Sequence, residues 1–157
     1  TPIKSSAASD VYKRQLIHSP PSAGKNWFFD MIFAFCLSYG QFGMANRHNQ
    51  FAFQDAPNKR VILWDEPNYE SCLTDLLKLI FGGGSYKVRV KSQRDTPVSR
   101  TPVVVLTNNI VDFMVDPAFA DRIIQFKWKA APFLSELSLK PYPMAFFHIL
   151  NKYHIDF

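Results

Sequence analysis

Residues 19 to 26 read Ser19-Pro20-Pro21-Ser22-Ala23-Gly24-Lys25-Asn26, a loop suited to holding phosphate. Phosphate binding needs backbone N–H groups turned inward, with a helix N-terminus directly behind them. Ser22, Ala23 and Gly24 supply that backbone, and Gly24 lets it approach closely. Lys25 can reach the outer phosphates of a nucleoside triphosphate. The next position usually carries Ser or Thr as a Mg²⁺ ligand; here it is Asn26, whose amide oxygen is also a hard donor. Ser19 stands where such loops usually begin with Gly, and its Cβ is costly if that backbone needs positive φ. A Pro/Ser/Gly turn that merely ends a strand has the same composition. The loop alone decides little.

About forty residues on, Val61-Ile62-Leu63-Trp64 runs into Asp65-Glu66. A buried strand delivering two acids to its C-terminal end places them where open α/β sheets bind ligands. Asp65 would hold Mg²⁺ and Glu66 would polarise an attacking water, with ATP as the implied nucleotide. Next, Tyr86-Lys87-Val88-Arg89-Val90-Lys91 alternates strictly after three glycines. Period two sets Lys87, Arg89 and Lys91 on one strand face, and Arg94 and Arg100 extend the positive surface across a hairpin. Such a face can follow a nucleic-acid backbone without reading sequence; alone, it could equally be a solvated surface. Asn108 ends the apolar run 103–107, where its amide can face a γ-phosphate. Arg122, after Asp121, is a candidate arginine finger or the partner of a nearby acid. The order of these segments, more than any one of them, points to nucleotide hydrolysis.

The elements that must position these groups alternate between strand and helix. Residues 16–18 form the stub of a strand entering the loop, and 27–38 an apolar, buried helix closing near Gly40. A strand follows over 61–64, then a helix over 74–81 with Leu76, Leu77 and Ile80 on one side. A buried strand is expected over 103–107, loop and turn over 113–122, a further strand over 123–128, and a last helix over 144–152. Continuous apolar strands alternating with helices predict a layered α/β domain with a parallel sheet.

The 157 residues are 47% hydrophobic and 15% aromatic, enough for a real core. Cys36 and Cys72 show no metal-ligand spacing and read as reduced thiols. The apolar run 27–37 is broken by Asp30 and too short to cross a bilayer, so a soluble intracellular domain is expected. Residues 5–15 resemble the in-frame translation of a transposase-type sequencing adapter, so 1–15 are expected to lie outside the fold. Removing Lys4, Lys13, Arg14 and Asp10 from the 18 bases and 13 acids lowers the formal charge from +5 to +3.

Together the segments resemble the superfamily 3 helicase domain of the large non-structural replication protein of parvoviruses, in its densovirus-like variant with a Gly-Lys-Asn loop ending. Residues 49–55 and the weaker echo Leu139-Lys140-Pro141-Tyr142-Pro143 also look familial. The resemblance implies a P-loop NTPase of the AAA+ type, with an ATPase core at 16–130 and a C-terminal extension of the same domain at 131–157. It places Lys25 and Asn26 on the phosphate loop, Asp65 and Glu66 on the acid pair, Lys91 on a DNA-contacting hairpin, Asn108 on the first sensor and Arg122 on the arginine finger. It further implies a hexameric ring that hydrolyses ATP with Mg²⁺ between subunits and moves single-stranded DNA during viral replication in the host nucleus. His18, His48, His148 and His154 lack the paired spacing of the family's upstream nuclease. That domain is expected to be absent, and the strand before the loop truncated. A decayed copy that binds DNA without turning over ATP, or a small-molecule phosphotransferase on the same loop, are the alternatives.

Overall fold

The computed structural model describes residues 14–155. Strand β1 (Arg14–His18) leads into helix α1 (Lys25–Cys36), followed by β2 (Tyr39–Gln41), β3 (Val61–Asp65) and α2 (Thr74–Phe81). A hairpin of β4 (Tyr86–Val88) and β5 (Thr96–Val98) precedes β6 (Val103–Thr107). Two single-turn helices, α3 (Asp112–Val115) and α4 (Pro117–Ala120), then β7 (Ile123–Lys127) and α5 (Ala145–Lys152) complete the order. The main sheet is wholly parallel, in the order β2-β3-β6-β1-β7. This is the expected parallel α/β P-loop NTPase fold, with a basic hairpin beside the sheet.

Period-two alternation sorts the strand side chains into two layers. Leu16, Ile62, Trp64, Val103 and Val105 pack with α2 and the aromatic residues Phe81, Phe113 and Phe119 on one face. Ile17, Leu63, Val104 and Leu106 pack with Phe29 and Phe33 of α1 on the other. All residues of β6 are buried, which is why its sequence is a continuous apolar run. Trp64, at 1% exposure, meets Phe42, Phe81 and Phe113 with ring centres 5.7 to 6.4 Å apart. Truncating such a residue to Ala typically costs about 3–5 kcal/mol.

Several expectations are corrected. Strand β1 is no stub: Arg14 and Gln15, placed outside the fold by sequence, pair with Ile123 and Ile124 on β7, and Gln15 also pairs with Val104 on β6. A full five-residue strand therefore lies between β6 and β7. The Arg14 side chain is buried and donates to the Ile80 carbonyl at the end of α2 (3.0 and 3.2 Å). The expectation for residues 1–13 lies outside the described residues. Helix α1 ends not at Gly40 but at Leu37, which takes a left-handed φ of 60°. Gly40 instead sits in β2, where a Cβ would meet the Asp55 carbonyl at 2.3 Å. Residues 113–122, expected as loop, hold most of α3 and all of α4.

Candidate nucleotide site

The loop after β1 is anchored at both ends. The Ser19 N–H donates to the Thr107 carbonyl (3.1 Å) and the Phe28 N–H to the Gly24 carbonyl (3.0 Å), starting α1. Left-handed backbone falls at Ser22 (φ 61°) and Gly24 (φ 75°), not at Ser19. The expected cost of serine at that first position therefore does not arise. Ser19 is buried, and its hydroxyl donates to the Pro20 carbonyl at 2.9 Å. Left-handed turns of this kind point successive N–H groups into a concavity. Here the concavity, about 300 Å³, is lined by residues 20–27 and Asn108. Helix α1 starts at its rim with no side chain capping it, so its N-terminal dipole faces the cavity.

The strand order decides which groups meet. Strand β6 lies between β1 and β3, so Asn108 sits between the lysine loop and the acids. Lys25 donates to the Asn108 side-chain oxygen and lies 3.8 Å from Glu66 Oε1. Asn26 Nδ2 donates to Asp65 Oδ2 at 3.0 Å. The Asn108 N–H donates to both Glu66 oxygens (2.9 and 3.1 Å), and the Thr107 hydroxyl lies 3.3 Å from Oε2. Glu66 reaches these partners from a left-handed backbone, φ 44°, a conformation costing roughly 1–2 kcal/mol for a residue with a Cβ. Lys25 is only 6% exposed. Burial pulls its ammonium pKa below the ordinary lysine value, opposed by Glu66 and then Asp65.

Lys25, Asn26, Asp65, Glu66 and Asn108 thus form one cluster, beside the backbone of Ser22, Ala23 and Gly24. Its hard oxygen donors, Asp65 and the amide of Asn26, fit Mg²⁺, and the loop with Lys25 fits a polyphosphate. Among the described residues no group of three or more His, Cys, Asp and Glu is placed to hold a metal ion by itself. Thr107 was missed by sequence reasoning; its place immediately before Asn108 at the end of a buried strand was the available signal. A second wall was missed too. The Ala131 N–H donates to the Ser22 carbonyl (2.9 Å), and a Cβ on Gly24 would meet Leu134 Cδ1 at 2.2 Å.

Arg122 is not part of this cluster. It precedes β7 at the end of the sheet opposite the loop, where its backbone carbonyl accepts from Arg14 N–H. Strand β1 separates the two ends by about 13 Å at 3.3 Å per residue. Its guanidinium donates to the Ala118 carbonyl and lines a separate, open concavity with Asp75, Lys78 and Leu79. Among the described residues neither Asp121 nor any other acid forms an ion pair with it. The hairpin shares that far end. Tyr86, Val88 and Val98 are buried while Lys87, Arg89, Lys91 and Arg94 are exposed. The strand ladder stops at Val88, so Arg89, Lys91 and Arg94 lie in the segment joining β4 to β5, and of the three cations expected on one strand face only Lys87 is on the strand. Arg89 donates to Gln50, and with Lys87 it lines a cleft of about 250 Å³ that also holds Arg47. Arg100 turns back to the Gly83 carbonyl (2.9 Å).

The sequence profile of the family described as parvovirus non-structural protein NS1 matches residues 11–122. The chain belongs to this family. It is 68% identical over 142 residues to the initiator protein NS1 of Junonia coenia densovirus, covering 90% of this chain and 26% of that protein. To the Bombyx mori densovirus initiator protein NS1 it is 40% identical over 140 residues, 89% of this chain and 16% of the relative. The chain therefore spans about a quarter or less of these relatives. Among solved structures, a JCV helicase with a bound small molecule superposes with a TM-score of 0.61 at 13% identity, covering 92% of this chain and 42% of that one. The C-terminal region of NrS-1 gives 0.54 at 12%, covering 89% and 34%. At such identities the structures speak for the fold. Among the described residues no helix is long and apolar enough to cross a membrane.

Proposed function

We propose that this NS1-family chain is the ATP-hydrolysing motor of a replication helicase, acting on single-stranded DNA within a ring of copies. What supports this most is the cluster gathered at the ends of three parallel strands around a phosphate-sized cavity, in which Lys25 and Glu66 meet through Asn108 while Asn26 holds Asp65. The N–H groups of residues 22–26 and the Lys25 ammonium bind the phosphates. Asn26 and Asp65 hold the cation, which supplies charge neutralisation on the phosphate oxygens when bound. Glu66 orients the attacking water, and the Asn108 amide positions the terminal phosphate.

The catalytic complement lies in another copy. Arg122 cannot reach its own Lys25 across the sheet, so it serves a neighbour's triphosphate, stabilising charge on the transferred group. Lys87, Arg89, Lys91 and Arg94 contact the DNA backbone electrostatically. Action in the host nucleus and assembly as a hexameric ring are further parts of this proposal. The test is DNA-stimulated ATP hydrolysis in the chain and its Glu66→Gln variant. The variant should retain ATP binding while turnover falls by at least a hundredfold. Wild-type DNA binding without measurable ATP affinity would instead support a decayed copy.

A further inference from the structure

Thr107 ends β6 fully buried, and three neighbouring segments meet at it. Its carbonyl accepts from the Ser19 N–H at the start of the loop (3.1 Å). Its hydroxyl has one proton to give, yet two oxygens lie within reach: the Asn109 carbonyl at 2.9 Å and Glu66 Oε2 at 3.3 Å. The Asn109 N–H donates back to the same hydroxyl oxygen (3.1 Å), closing the turn that carries Asn108. Glu66 is fastened to this strand end as well. Its N–H donates to the Leu106 carbonyl (2.8 Å), and its carboxylate accepts from the Asn108 N–H. Its other neighbour, Lys25 at 3.8 Å, is the group a phosphate would take over. A bound phosphate also repels the carboxylate, so what keeps Glu66 in place must come from β6 and the turn after it.

We infer that Thr107 is a positioning residue for Glu66: its hydroxyl, shared between the carboxylate and the Asn109 carbonyl, couples the aim of Glu66 to the turn that carries Asn108. The inference rests on the proposed hydrolysis site and names what regulates the water-orienting group within it. One proton cannot serve both acceptors fully. When the turn shifts to bring Asn108 onto a terminal phosphate, the hydroxyl rotates from the carbonyl to the carboxylate and fixes Glu66 toward the attacking water. Without the hydroxyl, Glu66 keeps its donor on Asn108 but loses its aim, and a misplacement of about 1 Å in such a group costs about 100-fold in rate.

The experiment compares steady-state, DNA-stimulated ATP hydrolysis by the whole chain with that of Thr107→Val and Thr107→Ser, each below its melting temperature. Valine keeps the buried shape and removes the hydroxyl. Thr107→Val should lower kcat about 10- to 100-fold with the KM for ATP within about twofold of wild type. Thr107→Ser restores the hydroxyl and should recover kcat to within about threefold. The decisive arm repeats Thr107→Val in a Glu66→Ala background. There it should alter the residual rate by less than about twofold, because the group it positions is gone. An equal drop in both backgrounds would show that Thr107 serves the turn alone and overturn the inference. An unchanged kcat in Thr107→Val, a loss carried by KM, or no recovery in Thr107→Ser overturns it too, while leaving the proposed function standing. A wild-type chain that hydrolyses no ATP removes both.

Discussion

Replacing Lys25 by Met separates affinity from stability in a way that tests the site directly. The Lys25 ammonium is 6% exposed and sits 3.8 Å from Glu66 and beside the Asn108 oxygen. A phosphate at similar range gains about 4 kcal/mol from that charge at an effective dielectric of about 20. Glu66 already claims part of it, so about 2–4 kcal/mol should be lost, or roughly 30- to 1,000-fold in affinity. Stability should move little, or the other way. Met is apolar and similar in length, and removing the ammonium removes a desolvation cost. Glu66 keeps the Asn108 N–H, and it is 42% exposed, so no buried charge is orphaned. Calorimetric titration of a non-hydrolysable ATP analogue, paired with thermal melting, measures both. The expected result is a loss of at least 30-fold in affinity with Tm unchanged or raised by about 2–4 °C per kcal/mol gained. Affinity within twofold of wild type, together with a lowered Tm, would refute the reasoning and make Lys25 a structural residue.

Arg122→Ala should leave ATP binding within about threefold while abolishing turnover, and wild-type subunits added in excess should partly restore activity; an unchanged rate removes Arg122 from the reaction. Tyr86 tests the base of the hairpin. Its buried hydroxyl has no hydrogen-bond partner among the described residues, so Tyr86→Phe should raise stability by about 1 kcal/mol in urea unfolding. Burial raises the folded-state Tyr86 pKa well above its ordinary value near 10, despite opposition from Arg14. The unfolded chain therefore loses this proton first, and wild-type stability should fall progressively as pH climbs above 10. Tyr86→Phe should show a shallower decline, and parallel curves would exclude Tyr86 as the source.

Legibility followed the physics of each element. Strands β3 and β6 announce themselves as apolar runs because both sheet faces are covered, and α2 by its one-sided leucines. The alternation of Lys87, Val88 and Arg89 correctly gave an exposed and a buried hairpin face. Strand β2 was hidden, being a three-residue edge strand whose inward residue is Gly40. The end of α1 was hidden because Leu37 holds a left-handed turn that local preference would assign to glycine. Within the site, residue types and spacing named Lys25, Asn26, Asp65, Glu66 and Asn108. They could not reveal that Asn108 and Thr107 grip Glu66, since that depends on β6 lying between β1 and β3. Arg14 was discarded with the adapter-like stretch, and only its burial against Ile80 shows the part it plays.

The separation of the lysine loop and Arg122 to opposite ends of the sheet sets an arithmetic for assembly. On the proposed assignment each copy carries half a site at each edge, and no side-chain rearrangement brings its own halves together. Contacts of this head-to-tail kind are heterologous and close into rings or run on as filaments. An open stack of n copies would hold n − 1 complete sites and waste one half at each end, whereas a closed ring holds n. Specific activity per copy would then climb with assembly size and level off at closure. The rate itself would become a measure of ring completion.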